Sequence, residues 1–251
     1  MKIIISPAKK MEECQDIFVP GGFPQYLPWT KQLYELLKSM SEEELQSLFG
    51  ANAQITRQNF ERYQTMDLMR ALTPALLSYV GIQYQYMAPK LFSNEEWEYV
   101  NRHLRILSGF YGILKPDDRV TPYRLEMQTK LPADGKKDLY EFWGRKLYDA
   151  LEDSVIINLA SREYSRAVEP YLTPDDRFVT CVFGEYKEGK VKVKATEAKM
   201  ARGEMVRYMA QNRIREPEEI KDFDRLGYRY WEELSLKDTF IFIKEIKSTQ
   251  K

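Results

Sequence analysis

Apolar positions along the chain follow two different periods, and the switch between them sets the expected architecture. Lys2 to Ser6 carries three consecutive isoleucines, and Val155 to Leu159 is a second unbroken apolar run. Runs of this kind predict strands covered on both faces, the first ended by Pro7, which has no N–H to give a ladder. Between them the period is helical. Leu33, Leu36, Leu37 and Met40 share one face, and Ser41 with Glu44 forms a capping box ahead of Leu45, Leu48 and Phe49. Helices are further predicted from Asn52 to Tyr63, from Thr73-Pro74 to Tyr79, and after Ser93, where Trp97, Val100, Leu104 and Leu107 form the stripe. Residues 12 to 28, with three prolines, two glycines and the apolar Phe18, Phe23, Tyr26 and Leu27, predict an irregular packed excursion. Alternation returns later. Arg177 to Tyr186 and Lys190 to Ala195 flank Glu188-Gly189 as a hairpin, and Phe240 to Ile246 is a last strand. Asp138 and Ser161 read as caps of short helices, and a long helix runs from Thr196 to about Ile214. The expected fold is mixed α/β (α+β), one domain over 1–251, with a helical N-terminal half packed on a mixed sheet.

The stretch from Leu107 to Met127 is the one the chain is organised around. It holds Gly109 and Gly112, then Lys115-Pro116-Asp117-Asp118 as a rigid turn, then Thr121-Pro122 and Arg124 on an extended, proline-stiffened segment. Gly81 centres a second glycine turn between helical patterns. Helix–glycine turn–helix patterns suggest a helix-hairpin-helix-like element, whose amides would meet DNA phosphate. Gly109-Phe-Tyr-Gly112 is one residue wider than the usual Gly-apolar-Gly spacing, and Gly81 has no second glycine.

Composition narrows the chemistry. One histidine and two cysteines cannot build a zinc-type cluster, and no residue pattern asks for a cofactor. Two cysteines in 251 residues, with no apolar run near membrane-span length and no leader architecture, point to the reducing cytoplasm. Thirty-eight basic and thirty-eight acidic residues balance, so any nucleic-acid face must be polarised. Lys187 to Arg215 supplies such a bias, with nine Lys or Arg against three Glu. Lys9 just beyond the first strand, and Lys199 with Arg202 on one stripe of the late helix, are further cations near element ends.

These segments resemble the YaaA family of bacterial peroxide-stress-resistance proteins. The resemblance is carried by Leu107 to Met127 and, in the same order, by Ile5-Ser-Pro-Ala-Lys9, Lys137 to Trp143, Asn158 to Ser161 with Glu163-Tyr164, and Ala201-Arg-Gly203. It implies a single mixed α/β domain and a role in the response to hydrogen peroxide, limiting iron-driven damage. It also implies binding of duplex or branched DNA, without sequence preference, through a positively charged cleft and a helix-hairpin-helix. Mapped onto this chain, the DNA- or anion-binding positions are Lys9, Lys115, Arg124, Lys199 and Arg202, with Gly81, Gly109 and Gly112 as hairpin candidates. Tyr123, Glu126, Asn158 and Ser161 are supporting positions. The same cations with one acid also suit an enzyme acting on a small phosphorylated or carboxylated substrate. No nucleophile–base pair or Walker-type loop is present to name a reaction, so catalysis is the less favoured reading. Nothing in the sequence sets an oligomeric state.

Overall fold

The structure is a computed structural model and describes residues 1–14, 21–70 and 73–244. Phe18 and the segment after Lys244 lie outside the described residues. The main sheet has eight strands: β1 (Lys2–Ile5), β2 (Leu104–Ser108), β3 (Gly112–Leu114), β4 (Val155–Leu159), β5 (Arg177–Lys187), β6 (Lys190–Lys192), β7 (Tyr228–Tyr230) and β8 (Thr239–Lys244). Their order across the sheet is β7-β8-β5-β4-β1-β2-β3, with β6 also paired to β5. β1 runs parallel to β2 and to β4, and β5 is parallel to β4 and to β8. Only β3, β6 and β7 are antiparallel additions at the rims. Ile3, Ile4 and Ile5 are fully buried, as are Ile156, Ile157 and Leu159 beside them. This is the placement expected of unbroken apolar runs in a sheet covered on both faces.

The longer helices are α1 (Leu27–Ser39), α2 (Glu42–Phe49), α3 (Ala53–Thr65), α4 (Ile82–Met87), α5 (Asn94–His103) and α6 (Ala195–Asn212); α5 packs on β1 and β2, α6 on β5 and α4, and α1 and α2 on α3. Their ends are those the side chains specify. Ser41 and Glu44 close a capping box, Asn52 caps α3, and Ser93 with Glu96 caps α5. Gly50 ends α2 at φ 54°, the left-handed conformation glycine tolerates best. No described helix is long and apolar enough to cross a membrane.

Three expectations are corrected. The Trp97-to-Leu107 stripe does not stay helical. α5 ends at His103, and Leu104 begins β2 because its backbone pairs with β1 in the buried centre of the sheet. Thr73-Pro74 starts no helix; it is a two-residue strand against Arg119–Val120, and the helix begins at Ala75. Gly109 and Gly112 are not in a helix-hairpin-helix. They turn the β2–β3 hairpin, since both flanking segments pair as strands. A Cβ at Gly109 would stand 2.5 Å from Leu125 O, and one at Gly112, at φ 77°, would stand 2.8 Å from the Trp143 ring. These glycines therefore serve close packing.

Asp118 closes the predicted turn after β3. Its Oδ2 accepts the Lys115 N–H at 2.8 Å, and the residue is buried. Burial, with Asp117 adding to it, pushes the carboxyl up to about 7, against the pull of Lys115 and Arg105. The folded state thus favours the neutral acid. Its contribution to stability is complete below the unfolded value and is lost as pH rises through about 7. A shift of this size corresponds to roughly 4 kcal/mol at most. Asp118→Asn should flatten that decline in denaturant titrations between pH 4 and pH 8; a wild-type slope retained in the variant contradicts the assignment. Separately, Ile157→Ala should cost about 2–5 kcal/mol of unfolding free energy, and an unmoved denaturation midpoint would place Ile157 outside the core.

Candidate anion-binding site

Parallel strands deliver their carboxyl ends to one edge of the sheet, and the chain crosses there from one side of β1 to the other. β2 lies on one flank of β1 and β4 on the other, so the connections diverge at this point. A crevice beyond such diverging strand ends is the usual ligand site of open α/β sheets. Ser6 follows β1 and Ser161 follows β4, and the two are tied together. The Ser161 N–H donates to Ser6 Oγ at 2.8 Å, and the two hydroxyls are 3.2 Å apart. Ser161 stands at the start of a one-turn helix, but its hydroxyl meets Ser6 and makes no cap bond. Asn158 fixes the turn from below, accepting the Ala160 N–H at 3.0 Å and donating to Thr180 at 3.3 Å.

A second wall is the extended segment through Arg124. The Tyr63 hydroxyl donates to Arg124 O at 2.8 Å. The Tyr123 hydroxyl lies 2.6 Å from Ser108 Oγ and 2.8 Å from the Tyr79 hydroxyl. Burial raises the Tyr123 phenol to about 12, so it stays a neutral hydrogen-bonding strut. The third wall is the pair α4 and α6. They meet so closely that a Cβ at Gly203 would lie 2.0 Å from Gln83 O. The Tyr84 hydroxyl donates to Ser6 O at 2.9 Å and anchors α4 to the strand end.

These walls border a half-open cavity of about 430 Å3. Lys9, Arg124, Lys199 and Arg202 all line it, with Gly81, Tyr123, Glu126 and Ser161. Five cations and two carboxylates face this space in a chain of zero net charge. Glu126 Oε1 sits 3.0 Å from Arg124 Nη2 and 3.2 Å from Lys9 Nζ, yet neither meets it at a hydrogen-bonding angle. Among the described residues no carboxylate pairs with Arg202, whose guanidinium is disfavoured by burial. The Cys181 thiol is pushed up to about 12 by burial. Glu163 has its carboxyl raised by burial and then by Glu126. Three buried donors here lack any hydrogen-bond partner: Gln83 Nε2, Arg124 Nε and Arg202 Nε. Orphaned buried donors are costly, and all three belong to residues that line this cavity, as does the orphaned acceptor Glu126 Oε1. Beyond Lys9, Lys10 and Arg124, which line both spaces, opens a wider groove of about 970 Å3 that adds Arg62 and Arg70 but also Glu12, Glu13 and Asp67, with Glu12 on Lys10 at 2.7 Å and Asp67 on Arg70 at 3.4 Å.

Not every expected position converges here. Lys115 is exposed at the opposite, amino end of the parallel strands, where its charge acts on Lys2. Asn158 supports the cavity without lining it, and Gly109 lies behind the Arg124 segment. Gln83, Ser6, Glu163 and Tyr84 are cavity residues the sequence reading did not select. Ser6 and Glu163 fall inside the family-like segments and Gln83 sits two residues from Gly81, which was the available signal.

Fold and cleft together define an α/β protein with a cation-lined cleft at the carboxyl edge of a mostly parallel sheet. The sequence profile described as peroxide stress protein YaaA matches residues 1–234, and the chain belongs to that family. It is similar over nearly its whole length to UPF0246 proteins. That of Lachnoclostridium phytofermentans is 55% identical over 246 residues, 97% of this chain and 96% of the relative. That of Desulfitobacterium hafniense (strain Y51) is 53% identical over 246 residues, 97% and 98% respectively. That of Agathobacter rectalis is 52% identical over 248 residues, 98% and 100% respectively. Membership assigns the chain a role in peroxide stress.

Gly203→Ala tests the third wall. The new methyl would meet a backbone oxygen, so α4 and α6 must separate. A loss of about 1–3 kcal/mol in denaturant unfolding is expected; a midpoint equal to wild type would show that the helices part freely.

Proposed function

We propose that the cleft binds DNA through its phosphates, without reading sequence, and that this is how the protein acts in peroxide stress. The observation that carries the reading is the meeting of Lys9, Arg124, Lys199 and Arg202 from three separate supports, with two arginine Nε atoms buried and unpartnered. Phosphate oxygens are acceptors that match such donors, and Arg is suited to hold them. The wider groove beside Lys9 and Lys10, with five cations against three carboxylates, is the path we assign to a phosphate backbone. Cations that replace condensed counterions on DNA would also displace iron held there, which connects binding to protection from iron-driven damage. A second reading, an enzyme on a small phosphorylated or carboxylated substrate, is favoured by one feature: Arg202 and Gln83 line the smaller of the two spaces, a size suited to small ligands.

Salt dependence separates the two readings. Arg124→Ala and Arg202→Ala should weaken binding to unrelated DNA sequences about equally, because phosphate contacts carry no base information. Each lost contact should flatten the log-affinity against log-salt slope by roughly one. Far-UV spectra establish that both variants are folded. Unchanged affinity and slope in both would remove these residues from a DNA site and favour the small-substrate reading.

A further inference from the structure

The inner cavity and the outer groove ask for different things. A duplex can lay phosphates along the rim at Lys9, Lys10 and Arg124, where the two spaces meet. A paired helix is too bulky to enter a cleft of about 430 Å3. Yet Gln83 and Arg202, each with a buried donor that has no partner in the protein, line it. Phosphate alone does not account for the rest of the lining. Pro7, Ile82, Tyr84, Leu125 and Tyr164 give flat apolar and aromatic walls. The Gln83 Nε2 donor is free, and Glu126 Oε1 is an acceptor without a directed hydrogen bond. A donor and an acceptor among apolar walls, beside guanidinium groups, describe a ligand with a planar polar-edged ring and an anionic group.

We infer that the inner cavity receives a single nucleotide unit, its phosphate held by Arg124 and Arg202 and its base between the apolar walls with its edge toward Gln83 and Glu126. This deepens, and rests on, the DNA-binding reading of the same cleft. The unit reaches the cavity either as a free nucleotide or as a nucleotide turned out of DNA at the rim. Extrusion costs a few kcal/mol and least where a base is mismatched or already unpaired. A cleft that works this way prefers mismatched, gapped or branched DNA over intact duplex, and does so without recognising sequence. Aromatic contact is tolerant of base identity, which fits a site with one donor and one acceptor.

The test has two arms. In the first, the full chain is titrated into duplexes carrying 2-aminopurine opposite thymine, either fully paired or beside a single-nucleotide gap. Emission is recorded along with permanganate reactivity of the opposing thymine, which reports loss of pairing even where a tyrosine quenches the probe. In the second arm, AMP, GMP, CMP and TMP are titrated by calorimetry. The inference expects a several-fold emission rise or a permanganate-reactive thymine at saturation, larger beside the gap, or saturable binding of the mononucleotides. Gln83→Ala, checked for folding by its melting temperature, should diminish whichever signal is seen. A signal only in the first arm assigns the unit to DNA, and only in the second to free nucleotides; either upholds the pocket. DNA bound with no extrusion signal and no mononucleotide binding overturns the inference and leaves the DNA reading intact. Mononucleotide binding with no DNA binding upholds the pocket and overturns the DNA reading. Binding of neither overturns both.

Discussion

Everything in the structure depends on the backbone pairing of β1 with β2 on one side and β4 on the other. Ile3, Ile4 and Ile5 have no exposed surface, so the first strand has no alternative to the middle of the sheet. Parallel partners on both flanks force their carboxyl ends to the same edge. Pro7 cannot continue the ladder, so the chain leaves β1 at Ser6 and carries Lys9 across that edge. The crevice between the Ser6 and Ser161 turns is therefore a consequence of strand order before any functional residue is considered.

Charge is then concentrated by rigidity. A neutral chain cannot rely on its overall field to attract an anion. The local excess comes from placing cations on supports that do not bend. One is a strand end locked by a serine pair, one a proline-stiffened segment held by Tyr63 and Tyr123, and one a helix pressed onto its neighbour at Gly203. Burying guanidinium groups without carboxylate partners is costly, and stability gives no reason to keep Arg202 in that state. That cost is what distinguishes this cluster from the solvated lysines near the β5–β6 hairpin, where Lys194 and Lys187 both pair with Glu185.

Local signals in the sequence were reliable where local physics decides. The Ser41 and Ser93 capping boxes and the two unbroken apolar runs stand where their residues put them, whereas Ser161, read as a cap, makes no cap bond. Long-range pairing was less legible. Leu104 and Leu107 have helical spacing from Trp97, but the energy of joining the sheet beside β1 prevails over that pattern. The β5–β6 hairpin was readable from Glu188-Gly189, whereas the parallel partners of β5, namely β4 and β8, leave no local mark. Of the cleft, the cations at Lys9, Arg124, Lys199 and Arg202 were legible through their family-like segments. Gln83 was not, because a single glutamine on a short helix becomes informative only when its amide is seen to be buried and unpaired. Lys115 shows the converse: it shares a segment with Arg124, yet the β2–β3 hairpin sends it to the other end of the strands.

The central claim is that the buried Nε–H groups of Arg124 and Arg202 wait for anionic oxygen. Nitrogen-15 spectra of the arginine Nε–H region, with the two signals identified by their loss in Arg124→Lys and Arg202→Lys, test it most directly. On titration with a short gapped DNA, both signals should move together and saturate with the same midpoint, as donors do on gaining a charged acceptor. If both stay fixed at saturation while other arginine signals move, DNA binds elsewhere and the cleft is not its site.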